Sequence, residues 1–401
     1  MLSSPCSRRN NGARRIASTL GHAVITASVA YGTYRFANWL WDSWTHRPDK
    51  DDRHLAQQSN SESRSRRGLW KIRRQRIDRC RLEVLQAMID FLPNLRRSIE
   101  SLTDISIDTK ALKELRNKEC EEKRRKEKEL WNSIKIKTLT RLISTAYGHT
   151  MLFLILTTQV HLMSGKLFQE QQQIQNISGM DDTDDKCFPT VQESNRFVLT
   201  ETYEYFLRDG LHRLVSVVER SVHSVVRDWD VTDASMLHVS KEMLEKGMED
   251  ILQHLEGEST QCTYRRHGSL FRLVLPREGS MMHTGGMGSS SQDILDETFD
   301  IFESPVFEDA QKDCLSGTFD IIRDEIFTKV FASNKDPKIC VAHPLATVLS
   351  KLKNASSSFY ESTINFNTQI LDERAELGMS SYLSDIQRLP TVLELGDVSF
   401  S

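Results

Sequence analysis

Apolar side chains recur every three or four residues through most of the chain after residue 80, which is the spacing of one face of an α-helix. The clearest stripe consists of Leu82, Leu85, Ile89, Leu92, Leu95, Ile99 and Leu102. Further stripes lie within residues 211–225, 294–302, 307–326 and 345–352. Polar or glycine-rich stretches at about 169–189, 257–291 and 332–343 separate them and predict flexible loops. This pattern alone predicts an all-α bundle.

Prolines mark three of the expected helix boundaries. Pro93 lies inside the first stripe and is expected to kink that helix or to begin a new one. Ser304 followed by Pro305 predicts an N-cap and the first helical position of another helix. Pro344 is expected to open the last strong helix.

Residues 142–165 contain no Asp, Glu, Lys or Arg, although residues 116–129 before them are mostly charged and predict a solvated helical stretch. A helix as apolar as 142–165 is either buried on all sides or inside a membrane. Trp131 stands at the boundary between the two stretches. From the residues alone, this tryptophan is either a core side chain or the anchor of a docking surface.

The N-terminal region has the pattern of a membrane anchor. Residues 1–15 are basic, and an uncharged run follows from residue 16 to residue 34, about 28 Å long as a helix. We expect an anchor over residues 16–41 and a polar, basic linker over 42–70. A cleaved mitochondrial presequence and a secretory signal are the alternatives. The residues expected to contact lipid are Ile16, Leu20, Val24, Ile25, Val29, Tyr31 and Tyr34.

Composition and charge narrow the function classes. The formal net charge of −3 gives no argument for binding nucleic acid. Seven scattered cysteines are typical of reduced thiols and indicate neither a disulfide framework nor a metal site. The basic cluster at residues 64–76 is either a lipid-headgroup contact or a solvated helix face. No motif for a nucleophile, a phosphate loop or a calcium loop is evident, so we expect neither an enzyme nor a cofactor.

Five short segments, in order along the chain, are similar to one known family. They are Met88–Arg96 with its Leu-Pro-Asn-Leu-Arg, Leu130–Ile136 with its Trp and Ile-Lys-Ile, Phe206–Leu211 with Asp-Gly-Leu, Glu303–Phe307 with Glu-Ser-Pro, and Pro344–Ala346. No single motif is specific, but the ordered set resembles the peroxin-3 family of peroxisomal membrane receptors.

The resemblance implies an all-α, elongated helical bundle with an N-terminal single-pass membrane anchor. A cytosolic receptor domain would span residues 71–390, residues 391–401 would form a tail, and residues 142–165 would be the buried central helix. The chain would lie in the peroxisomal membrane with its bulk facing the cytosol. Its expected partners are membrane lipids and the carrier peroxisomal biogenesis factor 19, whose amphipathic N-terminal helix would lie in an apolar groove.

The resemblance also assigns the residues of that groove. Trp131 would be the central anchor, Ile134 would line the same wall, and Lys135 would lie on the charged rim. Leu112 and Lys113 match a Leu-Lys pair at the groove, and a charged insert follows them. Thr347 replaces an expected lysine contact. The alternative function is a mitochondrial membrane-anchored helical structural protein with a basic presequence.

Overall fold

The computed structural model describes residues 66–115, 121–177, 202–227, 229, 238–261, 270, 289–332, 340–364 and 382–401. The expected anchor and nearly all of its linker, residues 1–65, lie outside the described part of the chain, as does most of the expected loop at 169–189.

The described residues form an all-α bundle, as the apolar pattern predicts. The first helices are α1 (Arg66–Leu102), α2 (Ser106–Leu115), α3 (Glu121–Ile177) and α4 (Leu211–Val226), the last preceded by a π-helical turn (Phe206–Gly210). They are followed by α5 (Lys241–Gln261), α6 (Ser289–Phe302), α7 (Pro305–Ile321), a second π-helical turn (Ile322–Phe327) and α8 (Thr328–Phe331). The last are α9 (Leu345–Ile364), α10 (Tyr382–Gln387) and α11 (Pro390–Ser399).

A two-residue antiparallel ladder is the small β element of the described chain. Strand β1 (His238–Val239) pairs with β2 (His343–Pro344), so that His238 lies opposite Pro344 and Val239 lies opposite His343. This pairing joins the chain before α5 to the start of α9. The apolar periodicity contains no signal for it, because two residues are too few to show an alternating pattern.

Helix α3 is the centre of the bundle. Its 57 residues pack against α1, α2, α4, α7, α9 and α11. Within the described chain, the stretch Lys123–Gln172 has the length and composition to cross a membrane, but 83% of its most apolar window is buried by the protein itself. Because residues 142–165 carry no charged side chain, they can be surrounded by apolar neighbours without desolvating an ion. The expected buried central helix is therefore what the structure contains.

Some of the predicted helix boundaries match the structure and others do not. Ser304 caps α7 by accepting a hydrogen bond from the backbone N–H of Phe307 at 3.3 Å, and Pro305 is the first helical residue, as predicted. Pro93 lies inside α1, which continues through it. The helices extend into the expected loops: α3 reaches Ile177, α5 reaches Gln261 and α6 begins at Ser289.

The expected tail at residues 391–401 is instead a packed helix, α11. Glycines allow its close approach to α3. A Cβ atom on Gly165 would overlap the carbonyl oxygen of Phe400 and lie 2.9 Å from its carbonyl carbon. A Cβ atom on Gly396 would lie 3.0 Å from Nε2 of His161. The helix packs against α7 and against residues of α3 more than 200 positions earlier in the chain, so its burial leaves no local signal in the sequence.

Candidate functional site

Trp131 lies at the point where α3 changes from an exposed to a buried helix. The charged side chains before it are largely exposed, whereas every residue from 138 to 165 is buried. Trp131 itself is partly buried and packs against the hydrophobic core, together with its neighbour Leu130. A large aromatic side chain at such a boundary is held by the core on one side and remains open to solvent on the other.

Helix α2 packs beside this part of α3, and Asp108 fixes the pair. Ser133 donates a hydrogen bond from Oγ to Oδ2 of Asp108 at 2.8 Å. Lys137 forms an ion pair with the same carboxylate oxygen at 2.8 Å and donates to the backbone carbonyl of Asp104 at 3.1 Å. These contacts hold α2 against α3 at positions two and six residues after Trp131.

Lys135 is not on an exposed rim, which corrects the expectation from the sequence. Its side chain is 1% exposed, and Nζ donates to the carbonyl oxygens of Val226 at 2.7 Å and Trp229 at 2.8 Å. The first carbonyl belongs to the last residue of α4, where the helix dipole is negative, and it also accepts the backbone N–H of Trp229 at 3.1 Å. The second carbonyl lies three residues beyond the helix. The buried ammonium therefore caps another helix.

Arg141 caps the C-terminal end of α1 in the same way. Its Nη2 donates to the carbonyl oxygens of Thr103 at 2.9 Å and Glu100 at 3.4 Å, and its Nε donates to Oγ1 of Thr103 at 3.0 Å. Cations of α3 thus hold the C-terminal ends of α1 and α4, with Lys135 about one turn and Arg141 nearly three turns after Trp131. Sequence reasoning missed these cross-helix caps.

Trp229 is a further aromatic residue at this end of the bundle that sequence reasoning missed. It is partly buried and contributes to a small apolar cavity. The cavity is lined by Leu139, Leu142, Ile143, Trp229, Leu244, Gly247, Met248, Ile251 and Phe327. The indole lies against Gly247, where a Cβ atom would stand 2.6 Å from Cζ2 of Trp229. No local motif marks Trp229, because Gly247 and Lys135 are distant from it in sequence.

The predicted site residues fall on two adjacent helices. Trp131, Ile134 and Lys135 lie within about one turn of α3. Leu112 and Lys113 lie on α2, where Leu112 is 6% exposed and Lys113 is exposed. Ile134 is 7% exposed and belongs to the hydrophobic core. The predicted lipid-contacting residues from Ile16 to Tyr34 lie outside the described part of the chain.

Burial is the main cause of the large pKa shifts in the described part of the chain. Burial raises the pKa of the Cys80 thiol to about 12, so this cysteine is a protonated core residue. Burial also lowers the pKa of His149 to about 3 and that of His161 to about 4. Among the described residues, no group of three or more His, Cys, Asp or Glu side chains is placed to hold a metal ion. What the arrangement around Trp131 offers is an apolar surface beside exposed basic side chains.

Comparison with known proteins identifies relatives of this chain. The Peroxin-3 family model matches residues 42–398. The chain is 26% identical over 197 residues to Peroxisomal biogenesis factor 3 of Bos taurus, a match that covers 47% of this chain and 49% of the bovine protein. The proteins of the same name from Homo sapiens and Mus musculus are 26% identical over 197 residues and 25% identical over 193 residues, with the same coverage. The chain therefore aligns with about half the length of these curated relatives.

Proposed function

Because the chain belongs to the Peroxin-3 family, we propose that it is a docking receptor of the peroxisomal membrane that takes part in peroxisome biogenesis. Its partner would be peroxisomal biogenesis factor 19, the soluble carrier of newly made peroxisomal membrane proteins. Docking of the carrier would support insertion of those proteins and peroxisome assembly. The chain would cross the membrane once, near its N-terminus, with the bundle on the cytosolic side, and its role would be binding rather than catalysis.

The single observation that carries the docking proposal is the position of Trp131. The indole is seated on the core yet partly open to solvent, on a turn of α3 where Ser133 is hydrogen-bonded to Asp108 of α2. Amphipathic helices bind to apolar surfaces of this kind through residues one turn apart, and buried aromatic anchors supply most of the binding energy. A partner helix placed here would cover the indole, which costs little reorganisation because the core already holds it.

The other proposed site residues have distinct roles. Leu112 and Ile134 would support the indole from beneath, since both are almost fully buried. Lys113 is exposed on α2 and would provide charge at the edge of the site. Lys135 would act indirectly, by holding the end of α4. Thr347 is exposed at the start of α9 and would not supply a cationic contact to the partner.

The site is tested by Trp131→Ala in the full-length chain, titrated with a fluorescent peptide of the carrier's N-terminal helix. We expect binding to weaken by about 2 kcal/mol or more, roughly thirty-fold in Kd, because a central aromatic anchor is lost. Trp70→Ala is the matched control: Trp70 is 65% exposed near the start of α1. Equal peptide affinity of Trp131→Ala and the wild type would contradict the site assignment.

Trp70 lies at the opposite end of the bundle from Trp131. Arg141 contacts Thr103 at the end of α1, while Arg76 hydrogen-bonds Gln171 near the end of α3, so α1 and α3 run antiparallel. The 27 positions from residue 76 to residue 103 correspond to about 40 Å of helix. This separation is why each tryptophan can serve as the control for the other.

We propose that the end carrying Trp70 rests on membrane lipids. Trp70, Lys71 and Arg74 are exposed there. Arg73 stacks over Phe400 and Arg76 over Phe168, so these two arginines also hold the ends of α1, α3 and α11 together. An exposed tryptophan beside basic side chains suits the headgroup layer of an anionic membrane, where each basic residue contributes about 1 kcal/mol.

The lipid contact is tested with the full-length chain in nanodiscs that contain brominated anionic lipid. Trp70→Phe should lower the lipid-quenched fraction of tryptophan fluorescence, whereas Trp131→Phe should not. Equal quenched fractions in Trp70→Phe and the wild type would show that this end does not touch the bilayer.

Localisation separates the peroxisomal proposal from the mitochondrial alternative. The intact chain with a C-terminal tag should coincide with peroxisomal markers and keep its full length, because an anchor is retained whereas a presequence is removed. Mitochondrial staining together with a shortened mature chain would favour the alternative.

A further inference from the structure

The buried ammonium of Lys135 connects the two tryptophans of this end of the bundle. Lys135 follows Trp131 by four residues, which is about one turn of α3. Its Nζ donates to the carbonyl oxygen of Trp229 at 2.8 Å. Side chains of a helix tilt toward its N-terminus, so the side chain of Lys135 reaches back toward the turn that carries Trp131. The backbone of Trp229 is therefore fixed beside the same stretch of α3.

The side chain of Trp229 is fixed by a second contact. Its six-membered ring lies directly on Gly247 of α5, at a distance that leaves no room for a methyl group. The indole is partly buried against the core and closes one side of the apolar cavity that includes Leu139 and Leu142. Like Trp131, Trp229 is packed against the core on one side and partly exposed to solvent on the other.

We propose that Trp229 is a second aromatic contact of the docking site and that Lys135 is the residue that positions it. This inference rests on the proposed docking function and extends the site from α2 and α3 to the end of α4. The occupant is the same amphipathic helix of the carrier. Its apolar face would lie across both indoles, since aromatic anchors that flank one surface fix the register of a bound helix.

The burial of Lys135 has a physical explanation in this arrangement. A buried cation is costly unless it is hydrogen-bonded, and the carbonyls of Val226 and Trp229 supply acceptors with partial negative charge. In return, the backbone at Trp229 is held against α3. Removal of the ammonium would leave those carbonyls without this donor and release Trp229 from its position.

Gly247→Ala is the sharpest test, because it displaces the ring of Trp229 without changing α3 or Trp131. The new Cβ atom would lie 2.6 Å from the ring, so the indole must move. Gly317→Ala on α7 is the matched control, since a Cβ atom there meets nothing within 4 Å. Alanine favours a helix more than glycine does, so an affinity loss in Gly247→Ala cannot be ascribed to a weaker helix.

We expect Gly247→Ala to bind the carrier's N-terminal helix peptide roughly five-fold or more weakly than the wild type, and Gly317→Ala to bind it normally. Fluorotryptophan incorporated in the full-length chain gives a second readout by ¹⁹F NMR, with the Trp229 resonance assigned from Trp229→Phe. That resonance should shift when the peptide is added. In the free Lys135→Met protein it should move or broaden, which reports positioning independently of stability.

The outcomes separate this inference from the proposed function. If Trp131→Ala weakens binding while Gly247→Ala binds the peptide as tightly as Gly317→Ala, the second contact is refuted and the docking function stands. The same conclusion follows if the Trp229 resonance does not shift when the peptide is added. An unchanged Trp229 resonance in Lys135→Met would refute the positioning role. A wild-type chain that does not bind the peptide would overturn both proposals.

Discussion

The buried histidine His161 should make the stability of the fold depend on pH. It is 1% exposed on α3, its Nδ1 hydrogen-bonds the carbonyl oxygen of Thr157 at 2.7 Å, and its Nε2 lies against Gly396 of α11. Burial lowers the pKa of His161 from its ordinary value of 6.5 to about 4; the hydrogen bond that the ring donates to the Thr157 carbonyl opposes this shift, and the charge of Arg81 adds to it. The perturbation is His161→Gln, which removes the titrating ring and keeps an N–H donor.

The direction and the size of the change in stability with pH follow from proton linkage. Between pH 6.5 and pH 4 the unfolded chain binds a proton at this residue and the folded chain does not. The stabilisation from a neutral, buried His161 is therefore complete above pH 6.5 and is lost as the pH falls toward 4. Between pH 7.5 and pH 5.0 the loss is about 2 kcal/mol for this single group.

The assay is urea unfolding of the full-length chain in detergent micelles, followed by circular dichroism at pH 7.5 and pH 5.0. The wild type should lose about 2 kcal/mol more on acidification than His161→Gln, because carboxylate contributions are common to both proteins and cancel. His212→Gln, which replaces an exposed histidine on α4, is the control and should behave like the wild type. Equal pH dependence of the wild type and His161→Gln would refute the reasoning that burial keeps this histidine neutral.

Two further predictions concern packing and capping. Gly165→Ala should destabilise the fold by about 1–3 kcal/mol, since the methyl group would overlap the backbone of Phe400. Gly317→Ala should instead be neutral or stabilising, by up to about 1 kcal/mol, in the same unfolding assay; a similar loss in both variants would argue against the close approach of α11. Ser304→Ala should cost about 1 kcal/mol, because the N–H of Phe307 loses its capping acceptor. A free energy of unfolding unchanged within error would contradict this cap.

Local signals in the sequence predicted features that depend on neighbouring residues. The helix that starts at Ser304 follows from a Ser-Pro pair, because both the cap and the fixed φ of proline act within one turn. The lack of charge in residues 142–165 predicted a helix that is either buried on all sides or inside a membrane, and the family resemblance favoured burial. The resemblance of short ordered segments to the peroxin-3 family is confirmed by the family match over residues 42–398.

Features that depend on distant residues could not be predicted. The family resemblance placed Lys135 on the charged rim, where a lysine side chain is usually exposed. Its acceptors, the carbonyls of Val226 and Trp229, are 91 and 94 residues away and belong to the backbone, which carries no sequence signal. Residues 391–401 appeared to be a tail for a similar reason: the helix there is stabilised by glycine contacts with α3 rather than by its own length.

The sequence by itself determined the helical class, the central apolar helix, the family and the position of Trp131 next to a charged stretch. Hydrophobic periodicity and charge are properties of each segment alone, and this is why they can be read along the chain. Only the tertiary structure decided that Lys135 is buried, that Trp229 lies on Gly247, and that α11 closes on Gly165. These three facts arise where separate segments meet, and the distance between two surfaces is set by the packing of the whole bundle.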